Sequence, residues 1–257
     1  MKRIPAADLE GDARSLAERL NARLDALAGT EKEQQQFIAD VSHELRTPLT
    51  VLRGTLEVVL EEDRPAEEYR EAIGNALLEV RHLTRLSQNL LFLARGQSGR
   101  ITLSFANVDL VKFAADVTRD LVPAAADREI EVAAELPDQP VRAFIDADRM
   151  QQVLHNLMEN AIRYTEPGGR IRVRLTAAPS EAVLEVVDTG IGIPLRDQPH
   201  VFERFFRSDG ARRAYPGGSG LGLSIVRWIV DAHKGTVEVE SAAGTGTTFR
   251  VRLPLIS

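Results

Sequence analysis

One stretch of this chain holds an imidazole where it could act as a nucleophile: Phe37-Ile38-Ala39-Asp40-Val41-Ser42-His43-Glu44-Leu45-Arg46-Thr47-Pro48-Leu49. His43 stands two residues past Val41, which lies on an apolar helical stripe. At about 100° per residue it turns away from that stripe toward solvent. Glu44 follows directly, and a carboxylate near an imidazole can hold one ring N–H while the other nitrogen stays free to attack. Pro48 lacks an N–H and crowds the carbonyl of Glu44, at a cost of roughly 3 kcal/mol in a helix interior. Such a cost beside an exposed His-Glu pair points to function, although a lone exposed histidine is most often a solvated surface residue.

A second set of residues could hold a nucleotide. A P-loop is excluded, because none of the four lysines follows a glycine. The G-x-G pairs beginning at Gly190, Gly218, Gly220 and Gly244 lead to Leu195, Leu223, Ile225 and Phe249, so no G-x-G-x-x-G exists. Asn156 and Asn160 lie four apart on a predicted helix and share a face, followed by Arg163 and Tyr164. Amide oxygens suit a hard cation and arginine suits phosphate. Asp188-Thr189-Gly190-Ile191-Gly192 puts a carboxylate before glycines that let backbone approach a base. Gly217-Gly218-Ser219-Gly220-Leu221-Gly222 opens a helix, where backbone N–H groups favour phosphate. Gly244-Thr245-Gly246-Thr247 joins two strands. Each motif alone reads equally well as an ordinary turn, hinge or polar helix face.

The elements that position these residues follow from periodicity. Leu9, Ala13, Leu16, Leu20, Leu24 and Leu27 mark one apolar helical stripe, which Gly29-Thr30 is expected to end. Residues 31–97 read as a helical hairpin. Phe37, Val41, Leu45, Leu49, Leu52, Leu56 and Val59 stripe its first helix, and Tyr69, Ile73, Ala76, Val80, Leu83, Leu90 and Ala94 its second. Arg64-Pro65 breaks between them. Two such stripes are better buried in a dimeric four-helix bundle than in one hairpin. Gly96–Gly99 reads as a polar linker. Beyond it the pattern gives a short strand at 102–105, a helix at 109–126, strands at 129–135, 170–177 and 182–187, a helix capped by Asp146 running to Tyr164, a helix at 220–234, and strands at 236–241 and 247–253. The fold class is α+β, a helical hairpin followed by an α/β sandwich.

Composition narrows the options. Acidic residues outnumber basic ones, 38 to 32, a net charge of -6 that disfavours a nucleic-acid surface. There is no cysteine, so disulfide and thiolate chemistry are excluded. No run approaches about 18 apolar residues, and no signal-peptide pattern opens the chain, so it reads as soluble.

The His43 stretch closely resembles the phosphoacceptor box of sensor histidine kinases. The later motifs, in their order and spacing, resemble the ATP-binding domain shared by histidine kinases, gyrase-type topoisomerases, heat-shock-90 chaperones and mismatch-repair ATPases. The resemblance covers residues 31–257, and residues 1–30 resemble the last helix of a HAMP relay module. It implies three domains: residues 1–30, a HAMP-like helix; 31–97, dimerisation and phosphotransfer; and 102–257, catalytic ATP binding. By the same resemblance His43 accepts the γ-phosphoryl group, Glu44 orients it or acts as base, and Thr47 positions water in removing phosphate from a response regulator. Asn160 holds Mg2+ and Asn156 assists at the phosphates. Arg163 contacts phosphate where the family more often has lysine. Tyr164 packs on adenine, and Asp188 reads its amino group, with Gly190 and Gly192 shaping that edge and Thr247 supporting it through water. Residues 203–219 form a lid with Arg207 and Arg212 as phosphate contacts, while Gly218, Gly220, Leu221 and Gly222 let it close. The implied function is ATP-dependent autophosphorylation, with a homodimer and a response regulator as partners, at the cytoplasmic side of the inner membrane in the full-length protein. A clamp ATPase or protein-serine kinase of the same superfamily and a non-catalytic nucleotide-binding scaffold are the rival readings.

Overall fold

Two long helices come first. In the computed structural model, which describes residues 11–97, 101–215 and 217–255, helix α1 runs Gly11–Leu60 and α2 runs Ala66–Gln97. The break falls at Arg64-Pro65 as the sequence predicts, where the Glu68 N–H bonds the Pro65 carbonyl and Arg64 pairs with Glu68. The expected stop at Gly29-Thr30 is not there: α1 passes through both. One interior glycine costs only about 1 kcal/mol, which flanking turns offset. Pro48 also lies inside α1 without ending it. Leu9 of the predicted first stripe lies outside the described residues.

By its internal contacts the chain divides into two units, Met1–Leu83 and Thr84–Ser257. The last turns of α2 therefore belong with the second unit, where they bury Leu86 and Leu93. Gly96, predicted as linker, is helical; Ser98–Arg100 lie outside the described residues.

The second unit is built on β2 (Glu131–Glu135), β4 (Arg170–Ala177), β5 (Glu181–Asp188), β6 (Thr236–Ala242) and β7 (Gly246–Pro254). They form one sheet in the order β2-β4-β5-β7-β6, with β2 parallel to β4 and the other pairs antiparallel. Alternation decides its faces. Ile171, Val173 and Leu175 of β4, Ala182, Leu184 and Val186 of β5, and Phe249, Val251 and Leu253 of β7 are buried. Helices α3 (Leu110–Ala126), α4 (Ala147–Tyr164) and α6 (Gly222–Ala232) supply the rest of the core. On the opposite face, directly paired residues form one row across all five strands: Glu135, Arg174, Glu185, Arg250 and Glu238. Successive members approach to 2.8, 3.4, 2.6 and 3.9 Å.

The strand expected at 102–105 is instead β1, Ala106–Asp109, and it pairs with β3, Arg142–Ile145, a strand the sequence reading missed. Both are four residues long, too short for alternation to declare itself. A short helix α5, Asp209–Ala214, capped by Ser208, also escaped prediction. Among the described residues no helix is long and apolar enough to cross a membrane.

Candidate functional site

Helix α4 starts where Asp146 Oδ1 accepts the Arg149 N–H at 3.1 Å. Its apolar stripe, Met150, Val153, Leu154, Leu157, Met158, Ala161 and Ile162, is driven into the core. That rotation leaves Asn156 and Asn160 half-buried together on the adjoining face. The Asn156 Nδ2 is buried without a hydrogen-bond partner. Against it comes the start of α6: a Cβ added to Gly222 would lie 3.4 Å from Asn156 Oδ1. Leu221, the N-cap residue of α6, offers no side-chain acceptor to the first amides. An orphan amide and an uncapped helix start thus face one another, which suits an anionic ligand with several acceptor oxygens.

The end of α4 meets the end of β5. The Tyr164 carbonyl accepts the Ile191 N–H at 3.1 Å, and a Cβ at Gly190 would fall 2.4 Å from that oxygen, so only glycine fits. Asp188 is buried, and its Oδ1 accepts from Gly190 N–H at 2.8 Å and Thr247 N–H at 3.2 Å. Burial raises its pKa to about 6, against the pull of the two amides. Among the described residues no donor reaches Oδ2, which leaves that oxygen as an acceptor. Gly192 (φ 66°) packs on the Ala242 carbonyl, where a Cβ would lie 1.9 Å away.

Sequence reasoning missed several supports. Ser241 Oγ lies 3.0 Å from Thr247 Oγ1, donates to the Gly246 carbonyl and accepts from Ile193 N–H. Gln198 Nε2 bonds the carbonyls of Ile193 and Ser241. Arg128 caps α4 through the carbonyls of Ile162 and Arg163, at 2.7 and 3.1 Å. Most of these bonds go to backbone N–H and carbonyl groups, which leave no spacing signal in a sequence.

In the lid segment, Phe205 (φ 61°) and Gly220 (φ 68°) are both left-handed and close its base through a Phe205 N–H to Gly220 carbonyl bond of 3.0 Å. Arg207 reaches the carbonyls of Gly218 and Ala211, at 2.8 and 2.9 Å, and that of Tyr215. Arg212 is exposed, with its Nε 3.3 Å from the Arg207 carbonyl. The Arg163 guanidinium lies over the Tyr215 ring at 4.5 Å. The three arginines expected on phosphate are therefore turned onto the lid itself in this structure.

In the first unit His43 is exposed, as the turn of the helix predicts. Neighbouring hydroxyls bond carbonyls one turn back: Ser42 to Ile38 at 2.8 Å, Thr47 to His43 at 3.4 Å, and Thr50 to Arg46 at 2.9 Å. Among the described residues no side chain bonds the His43 ring, Glu44 included, because adjacent side chains on a helix diverge.

A model of the His Kinase A (phospho-acceptor) domain matches residues 33–99, and one of the histidine kinase-, DNA gyrase B- and HSP90-like ATPases matches residues 145–257. The structure of a mycobacterial sensor histidine kinase, MprB, is 33% identical with a TM-score of 0.51, covering 59% of this chain and 97% of that one. The chain belongs to the sensor histidine kinases. A probable sensor histidine kinase of Mycobacterium tuberculosis, TcrY, is 41% identical over 258 residues, covering 98% of this chain and 54% of TcrY. The chain thus spans about half the length of the curated relatives it matches. A histidine kinase, ThkA, solved in complex with the response regulator TrrA, shares the fold at a TM-score of 0.71 and 24% identity, covering 97% of this chain and 68% of that one. Within this sensor histidine kinase chain, the phosphoacceptor match contains His43, Glu44 and Thr47, and the ATPase match contains every predicted nucleotide contact.

Proposed function

We propose that this chain binds ATP between α4 and α6, transfers its γ-phosphoryl group to His43, and passes it on to an aspartate of a response regulator. The observation that carries the reading is the orphan Asn156 amide facing the uncapped start of α6. Asn156 and the amides from Gly222 onward hold phosphate oxygens. Asp188 Oδ2 accepts the adenine amino group while Oδ1 stays on its two backbone donors, and Tyr164 covers the base. Mg2+, held by Asn160, would neutralise charge on the triphosphate; an amide oxygen on a half-buried helix face fits a hard cation. Arg163, Arg207 and Arg212 give up their lid contacts for phosphate when nucleotide binds. His43 attacks phosphorus through its free ring nitrogen, the bond to the β-phosphate oxygen breaks, ADP leaves, and the imidazole proton passes to solvent or to Glu44. Thr47 positions water for the reverse task, dephosphorylating the regulator.

A homodimer through residues 31–97 is part of the same proposal. Leu49, Leu56, Ile73, Leu77 and Val80 are 40–61% exposed on the single chain, an apolar surface that a second hairpin would cover. We place the full-length protein at the cytoplasmic side of the inner membrane.

Incubation with γ-labelled Mg-ATP tests the reading. Label that survives base, is lost in acid and vanishes in His43→Ala supports it. Acid-stable label points instead to a serine kinase, and no label to a scaffold. Asn160→Ala should weaken Mg-dependent ATP binding while His43→Ala leaves it intact; unchanged calorimetric titration of the Asn160 variant would count against that assignment.

A further inference from the structure

Three side chains stand in one row across neighbouring strands. Asp188 of β5 is paired directly with Thr247 of β7, and Thr247 with Ser241 of β6, so the three project to the same side of the sheet. Asp188 and Thr247 are buried, and Ser241 is half-buried. The Ser241 backbone is pinned by Gln198, whose Nε2 donates to its carbonyl.

The protons in this row can be assigned. A serine hydroxyl has one proton and two lone pairs. Ser241 Oγ lies 2.7 Å from the Gly246 carbonyl oxygen, 2.8 Å from the Ile193 nitrogen and 3.0 Å from Thr247 Oγ1. A carbonyl only accepts, so the Ser241 proton goes to Gly246. A backbone N–H only donates, so Ile193 takes one lone pair of Ser241. The other lone pair is what remains for Thr247, so that contact is made with the Thr247 proton. Reversing it would set the Gly246 carbonyl against a lone pair at 2.7 Å. Thr247 Oγ1 therefore has only lone pairs left to offer. Beside it, Asp188 Oδ1 is occupied by the Gly190 and Thr247 N–H groups, and Oδ2 is an acceptor.

We propose that Ser241 is a positioning residue that sets base specificity: by holding the Thr247 proton in a hydrogen bond, it leaves the floor of the base pocket with acceptors alone. The proposal rests on the nucleotide reading above, in which Ser241 itself touches no nucleotide. An amino group on the base can donate to Asp188 Oδ2 and to Thr247 Oγ1, directly or through one water. A carbonyl oxygen in its place would meet lone pairs at both, so the floor rejects it.

The test compares Mg-ADP with Mg-IDP, in which a carbonyl oxygen replaces the amino group. Both would be titrated by calorimetry into the whole chain at pH 7.5, where Asp188 is ionised. The parent should bind Mg-ADP at least about tenfold more tightly. Ser241→Ala frees the Thr247 hydroxyl to donate, so this preference should fall about two- to tenfold. Ser241→Thr keeps a hydroxyl and should keep the preference. In a Thr247→Val background, Ser241→Ala should leave the preference unchanged, because Ser241 acts only through Thr247. A Ser241→Ala chain that weakens both nucleotides by the same factor would overturn the proposal and reduce Ser241 to a brace for the turn. An equal fall in preference in the Thr247→Val background would overturn it too. So would a parent that binds both nucleotides alike, a result that does not depend on any variant folding. A parent that binds neither would overturn the nucleotide reading and the proposal with it.

Discussion

Asp188→Asn should make the catalytic unit more stable and less able to bind nucleotide. Burial lifts the Asp188 carboxyl from its usual value of 3.8 to about 6, so above pH 6 the fold carries an ion it would sooner hold neutral. That difference corresponds to about 3 kcal/mol at pH 7.5. Asparagine is neutral at every pH and nearly the same shape, and its one carbonyl oxygen can keep both donors now on Oδ1, Gly190 N–H and Thr247 N–H. The gain is full above about pH 6, shrinks as the wild-type carboxyl protonates, and is gone below about pH 4, where both side chains are neutral. At about 2–4 °C per kcal/mol the melting point should rise by about 6 °C or more at pH 7.5 and not at all at pH 4. Meanwhile the acceptor at Oδ2 becomes a donor, so Mg-ADP affinity should fall about 10- to 100-fold. Calorimetric melting at the two pH values and a titration at pH 7.5 test both halves. A variant that melts at or below wild type at pH 7.5, or gains equally at pH 4, refutes the claim that burial of the charge dominates.

Lys234→Gly should stabilise the protein by about 1 kcal/mol, because Lys234 holds a left-handed φ of 57° just past α6 that glycine adopts without strain; denaturant melts measure this. Gly192→Ala should cost about 3 kcal/mol, since the new Cβ falls 1.9 Å from the Ala242 carbonyl at a left-handed φ of 66°; a melting point within 2 °C of wild type, about the shift from 1 kcal/mol, would contradict that. In the wild-type chain, Mg-ADP binding should weaken as pH drops through about 6 and Asp188 protonates, a trend that calorimetry at pH 5.5 and 7.5 would reveal.

The catalytic unit was legible where a residue's type and its period agree. Asp146, Asn156, Asn160 and Tyr164 fall on α4 as spacing predicts, because the helix has one strong apolar stripe and a capping carboxylate. The same holds for α3 and for strands β4, β5 and β7, whose alternation survives into their burial. What was not legible depends on contacts distant in sequence. Ala106–Asp109 becomes a strand because Arg142–Ile145 pairs with it, and neither has a pattern of its own. Gly96 reads as a linker until Trp228 lies against it. Arg207 and Arg163 carry the right charge for phosphate, and only the fold of the lid reveals their other partners. Continuity of α1 through Gly29 and Pro48 shows local breakers outvoted by neighbouring turns.

The row of charges across the open face has a meaning for encounters between molecules. Counted from edge to edge it reads minus, plus, minus, plus, minus, beginning with Glu135 on β2 and ending with Glu238 on β6. Glu131 and Glu240 add further negative charge on the same two outer strands. Both exposed margins of the sheet are therefore acidic. A second copy bringing either margin alongside, the step by which sheets extend into aggregates, would set carboxylate against carboxylate. Inside the sheet the same residues meet only opposite signs. One pattern of five side chains thus favours pairing within the molecule and opposes it between molecules.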